Sequence, residues 1–129
     1  MHGIALTDPF RNYFRSRTLF HFGTALETPQ FVHILGTGTI AYHSATLHVD
    51  PAAFEKPNMA DIFFARIAQS QGIPLLCVAR GRHWLRQLDH SGPTIYSRAR
   101  RHEGADETRL IRSFGPWQLL KTAVTPARH

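Results

Sequence analysis

Residues 73–79, Ile-Pro-Leu-Leu-Cys-Val-Ala, form the longest nearly apolar run in the chain, and what flanks that run constrains the fold more than any other feature. Its length and its Val78 fit a strand with both faces largely covered, and Pro74 sits near its start, where a missing amide is tolerated. Upstream, Met59, Ile62, Phe63 and Ile67 recur at spacings of three and four, which puts them on one stripe of a helix. Asn58 reads as its N-cap, Asp61 as an acid in the first turn, and Gly72 as the left-handed residue that ends it. The spacing therefore predicts a helix over residues 59–71. After Ala79 the composition turns abruptly to Arg80, Gly81, Arg82 and His83. A helix is expected to pack on a buried strand that delivers the chain to a basic, solvated surface.

The rest of the chain reads around that pair. Asp8-Pro9 is a cap and first-turn signal, and Phe10, Tyr13 and Phe14 follow at helical spacing, which predicts a helix over residues 9–16. Its other side would carry Arg11 and Arg15, with Arg17 just beyond, as a solvated face. From Leu19 the period changes to two. Residues 19–22, 30–35, 39–43 and 46–49 are short runs of aromatic and β-branched residues, read as an antiparallel meander. Gly36-Thr37-Gly38 is its clearest tight turn; as a phosphate loop it lacks the helix that would have to follow. Asp50-Pro51 caps a single helical turn through Phe54. Beyond the buried strand, Trp84, Leu85 and Leu88 suit a short helix or a strand, and residues 89–93 give a turn. Residues 94–100 alternate as a strand, with Ile95, Ser97 and Ala99 on one side and Tyr96, Arg98 and Arg100 on an exposed basic side. Residues 103–107 form an acidic loop able to neutralise part of that charge. Asp106 opens a last helix with Leu110, Ile111 and Phe114 inward and Arg109 and Arg112 outward, ended by Gly115-Pro116; Trp117, Leu119, Leu120 and Val124 would cap the core. The sum is one α+β domain over residues 1–129: a small antiparallel sheet, meander plus C-terminal hairpin, packed with about three helices.

A 43% hydrophobic share in 129 residues supports one real core. Fifteen Lys plus Arg against nine acids give a formal charge of +6, and only Lys56 and Lys121 are lysines. Guanidinium suits phosphate and carboxylate, so an anionic partner is favoured; a GC-rich genome equally accounts for arginine over lysine. Cys77 is the only cysteine, placed in the buried strand, so no intrachain disulfide and no cysteine metal site are expected, and the thiol reads as a small buried hydrophobe. With no apolar stretch long enough to span a membrane and no leader pattern in residues 1–5, the reading expects a cytoplasmic protein.

Chemistry-bearing patterns are sparse. His21, His33, His43 and His48 all fall in the proposed meander, but without a metal-ligand spacing, and no metal or cofactor is expected. No Gly-x-Ser-x-Gly turn occurs, and the acids near Asp89 and residues 103–107 are scattered in loops. The basic set is the most coherent: Arg80, Arg82, Arg86, Arg98, Arg100 and Arg101, interleaved with Trp84 and Tyr96, are placed to track phosphates while an aromatic ring stacks on a base. These residues are the candidate site of a non-enzymatic binding or regulatory domain with an anionic partner, nucleic acid being the leading candidate and another anionic ligand the other.

Two local resemblances suggest an alternative. Leu19-Phe20-His21-Phe22-Gly23-Thr24, with residues 34–40 (Ile-Leu-Gly-Thr-Gly-Thr-Ile), resembles the opening of ADP-ribosyltransferase-type domains; the resemblance implies a dinucleotide pocket around His21. Trp84-Leu85-Arg86 with Gly92-Pro93 and Tyr96-Ser97-Arg98 is similar to the central hairpin of chorismate-lyase-like domains, which implies Arg86 holding a ligand carboxylate. The alternative function is then an enzyme or small-ligand module with His21 or Arg86 in a pocket. A third reading is an interaction subunit whose exposed aromatic surface is completed by a partner protein.

Overall fold

The computed structural model describes residues 2–89 and 91–122. Five short strands and three helices follow in order: β1 (Gly3–Leu6), β2 (Arg17–Phe20), β3 (Gln30–Val32), β4 (Ile34–Leu35), α1 (Ala60–Ser70), β5 (Leu75–Cys77), α2 (Ile95–Arg101) and α3 (Ala105–Phe114), with 3₁₀ turns at Thr37–Thr39 and Pro51–Ala53. The α+β class, a total of three helices and small antiparallel pairing are as expected, although only α1 and α3 stand where the sequence placed a helix and the strands form two sheets. Among the described residues no helix is long and apolar enough to cross a membrane.

α1 is the centre of the molecule. Ile62, Phe63, Phe64, Ala65, Ile67 and Ala68 are all buried, so the helix is covered on most of its circumference. It closes with the amides of Gly72 and Ile73 donating to Gln69 and Ala68 carbonyls, and Gly72 takes φ of 68°. That is the left-handed stop its sequence predicts, satisfying carbonyls that the helix itself leaves open. Its start differs. Met59 holds the cap position and no side chain caps the helix, because Asn58 is itself left-handed, at φ of 68°. Asp61 lies in the first turn as expected.

The sheets are more divided than a meander. β1, which the sequence reading did not assign, is the middle of a three-stranded antiparallel sheet ordered β2-β1-β4, pairing Ile4 with Leu19 on one side and with Ile34 on the other. β3 pairs instead with β5, Phe31 opposite Leu76. The predicted strand over residues 30–35 thus changes sheets at His33, whose amide donates to the Ile4 carbonyl and whose Nδ1 accepts the Leu6 amide at 2.9 Å. This crossover lets Val32, Ile34 and Leu35 all enter one core with α1, Leu75, Cys77, Leu110 and Ile111.

Several segments depart from expectation. Residues 9–16 are not a helix: the amides of Arg11 and Asn12 donate to Ser16 Oγ, that of Phe14 to Asn12 Oδ1 and that of Tyr13 to Thr108 Oγ1. Side-chain oxygens have taken the amides of residues 12–14, which a helix begun at Pro9 would have used. Residues 39–43 and 46–49 form a loop rather than strands, with Gln71 of the α1 end holding both the amide and the carbonyl of His48, and Gly36-Thr37-Gly38 leads into a 3₁₀ turn rather than a hairpin. The apolar run contributes only β5, buried on one face; Leu76 and Val78 are 37% and 38% exposed. Residues 95–101 are helix, not strand, so there is no C-terminal hairpin. Trp84, Leu85 and Leu88 belong to neither a helix nor a strand. Asp50 caps its turn by accepting the Ala52 amide, and Trp117 packs on the core, as expected. His90, in the predicted turn, and Val124 lie outside the described residues.

Candidate functional site

Of the arginines singled out in the sequence, Arg80 has a separate role. It is buried, and its guanidinium donates to Cys77 Sγ and the carbonyls of Val78, Phe20 and His21. It ties the end of β2 to the end of β5, and is spent inside the protein. Arg82, Trp84 and Arg86 follow on an irregular, exposed segment, with Trp84 69% exposed.

Helical geometry redistributes the others. On a strand Tyr96, Arg98 and Arg100 would share a side; on α2, Arg98 and Arg100 are about 200° apart. Tyr96 and Arg100, four residues apart, both reach Phe14: the two aromatic rings meet edge to face at 6.0 Å, and the Arg100 guanidinium lies 5.2 Å from the Phe14 centroid. Arg17 comes to the same ring from β2, 4.6 Å from the centroids of both Phe14 and Tyr13. An arginine-aromatic face therefore joins residues 14–17 to residues 96–100. The alternation of arginine and aromatic in Phe10-Arg11-Asn12-Tyr13-Phe14-Arg15 was its sequence signal, which the reading of a solvated helix face passed over. Neither Arg17 nor Arg100 has a carboxylate within 4.0 Å among the described residues, whereas Arg15 pairs with exposed Glu103 at 3.8 Å. Arg101 is exposed and equally without an acid partner there.

The opposite side of α2 faces a cleft of about 410 Å³. Arg98 and His102 come from α2, Asp106 and Glu107 from the first turn of α3, and Met59, Ile95 and Ala99 supply apolar lining. Gly104, at φ of 66° between the two helices, makes the bend that sets these walls against each other. Behind Glu107, near Tyr13, the Asp61 carboxyl is mostly buried; burial pushes its pKa up, and the Glu107 charge adds to that rise. Burial also raises the Tyr13 hydroxyl, with the Asp61 charge as the next cause.

Three of the four candidate histidines are committed to the backbone. Nδ1 of His21, His33 and His43 accepts an amide, from Gly23, Leu6 and Ala45 respectively. An accepting Nδ1 leaves the proton of the neutral ring on Nε2, the reverse of what a metal-bound imidazole needs there. Among the described residues no three His, Cys, Asp or Glu groups are placed to hold a metal. His21 sits in an exposed tight turn stacked on Phe22 at 4.3 Å and edge-on to His2 at 5.4 Å; neither it nor Arg86 lines the cleft. The residues of the second resemblance, 84–86 and 96–98, form no hairpin. Compared with known protein families and with curated proteins, the sequence matches none.

Proposed function

We propose that this chain is a non-enzymatic binding domain whose exposed arginines meet an anionic polymer, nucleic acid. What supports the reading is the meeting at Phe14 of Arg17, Arg100 and Tyr96, two guanidinium groups without an acid partner among the described residues beside an aromatic ring 58% exposed. Guanidinium groups follow phosphates, and an exposed ring offers a base a stacking surface. Arg101, Arg82 and Arg86, with Trp84, extend the candidate set, while Arg80 contributes only to the fold.

The test is fluorescence anisotropy of labelled single-stranded and duplex oligonucleotides across a salt titration. Affinity is expected to fall steeply with salt, and the joint variant Arg100→Ala, Arg101→Ala is expected to reduce the slope of log K against log salt by about 1.5–2. Tyr96→Ala is expected to weaken the single strand more than the duplex. Absence of binding at low salt would leave the arginines a solvated surface.

A second reading, the interaction subunit, draws on Leu88, Trp84 and Ile95, exposed by 86%, 69% and 59%. Large apolar side chains so exposed are a feature of surfaces that a partner covers.

A further inference from the structure

The cleft between α2 and α3 carries charge of both signs, and that makes it unlike the arginine-aromatic face. Arg98 has no carboxylate within 4.0 Å, and Glu107 has no cation within that distance, among the described residues. They line one cavity without neutralising each other. Asp106 lies beside Glu107 and, among the described residues, pairs only with exposed Arg109, at 3.7 Å, while His102 adds a polar group to the wall that carries Arg98. Of the remaining lining, Asn58 and Thr94 are polar, with the Thr94 hydroxyl already engaged in the cap of α2, while Met59, Ile95, Ala99 and two prolines suit an alkyl chain. From these walls we infer that the cleft is a binding site for a small zwitterion with an apolar side chain, an α-amino acid or short peptide, its carboxylate on Arg98 and its ammonium on Glu107 and Asp106. A fork of guanidinium donors matches a carboxylate, and paired carboxylates match an ammonium. A purely anionic ligand would leave Glu107 and Asp106 facing its charge, and a purely cationic one would meet Arg98. The cavity of about 410 Å³ is of the size that encloses small molecules. This site stands apart from the nucleic-acid reading, which uses the other side of α2.

The experiment is a ¹H–¹⁵N chemical-shift titration of the full chain with L-leucine and with leucyl-leucine. The isosteric fragments 4-methylpentanoate, without the ammonium, and isoamylamine, without the carboxylate, are titrated in parallel. Saturable shifts are expected at residues 94–102, Met59 and Glu107, with a dissociation constant on the order of millimolar, weakened at least about tenfold for either fragment. Whether leucine or leucyl-leucine binds tighter distinguishes a free amino acid from a peptide. Arg98→Gln and Glu107→Gln are each expected to cause a loss of similar size while the spectra keep their dispersion. The inference is overturned if neither zwitterion shifts these resonances at about 20 mM, if the carboxylate fragment binds as well as leucine, or if the shifts fall elsewhere. Because the fragment series uses the unaltered protein, it decides the matter even where a variant fails to fold.

Discussion

Arg80 is the residue whose sequence context misleads most. It opens a basic run, yet it lies 8% exposed with its guanidinium divided among a thiol and three carbonyls, the shortest contact being 2.6 Å to His21 O. Its Nε finds no partner among the described residues. Removing the fork takes a charge-assisted donor from the Phe20 and Val78 carbonyls and from the Cys77 thiol, while the His21 carbonyl keeps the amide and hydroxyl of Thr24, and losing several bonds to a charged group at one site costs more than losing one neutral bond. Arg80→Met is therefore expected to destabilise the fold by about 2–4 kcal/mol in urea unfolding. Arg80→Lys should recover only a fraction, since one ammonium cannot reach acceptors spread over two strands. Equal stability of the methionine variant and the native chain would show the guanidinium to be incidental. Cys77 beneath it is fully buried. Its place in the core was legible from the apolar run alone, whereas Arg80's was not: the fixed position of β2 against β5 decides it, and no local pattern records that.

At the level of elements, what was legible is what leaves a local mark. α1 has an apolar periodicity and a glycine stop; α3 has acids in its first turn and Gly115 at its end; Pro51–Ala53 has its Asp50 cap. α2 has no buried residue, so no stripe betrays it, and alternation of Ile95, Ser97 and Ala99 imitates a strand. Its signal lies at the start, where Thr94 Oγ1 accepts the Ser97 amide and Ser97 Oγ accepts that of Thr94. A reciprocal cap of this kind identifies a helix that periodicity cannot. β1 was missed for a different reason: four residues flanked by ordinary ones carry little pattern, and its central position comes from partners contributed by β2 and β4. The arginine-aromatic face is likewise non-local, joining residues some eighty positions apart. Gly104 controls both the face and the cleft. Its left-handed backbone disfavours any side chain, and an added Cβ would stand 2.8 Å from Phe14 Cδ2. Gly104→Ala is expected to cost about 2 kcal/mol or more and to displace the Phe14 ring. Thermal unfolding reads the first effect, and altered Tyr96 and Arg100 resonances the second; an unchanged melting temperature would mean that the helix junction yields freely.

For the whole molecule, the three ion pairs among the described residues are all exposed and contribute little to stability, so the response to pH rests on groups at least half withdrawn from water. Burial lowers His2 from 6.5 to about 4, with the charge of His21 next in importance, and burial also lowers His33 below 6.5. His33 must stay neutral at Nδ1 to accept the Leu6 amide that fixes the crossover between sheets. The unfolded chain therefore binds more protons than the folded one below 6.5, and stability rises with pH through that window. It is fully present above 6.5 and is lost as the pH falls towards 4. Asp61 acts in the opposite sense: its folded pKa lies above 3.8, so its contribution is complete below 3.8 and is lost as the pH rises. At neutral pH its charge is a burden, and on acidification its protonation offsets part of what the histidines lose. Urea unfolding between pH 7 and about 5 should accordingly show falling stability in the native chain. His33→Asn, which keeps an acceptor for the Leu6 amide without a titrating ring, should flatten the curve. Asp61→Asn should make the chain more stable at pH 7 and its decline on acidification steeper. Stability that stays constant or rises between pH 7 and about 5 in the native chain would contradict the assignment of neutral, half-buried rings to His2 and to His33 at the junction of the two sheets.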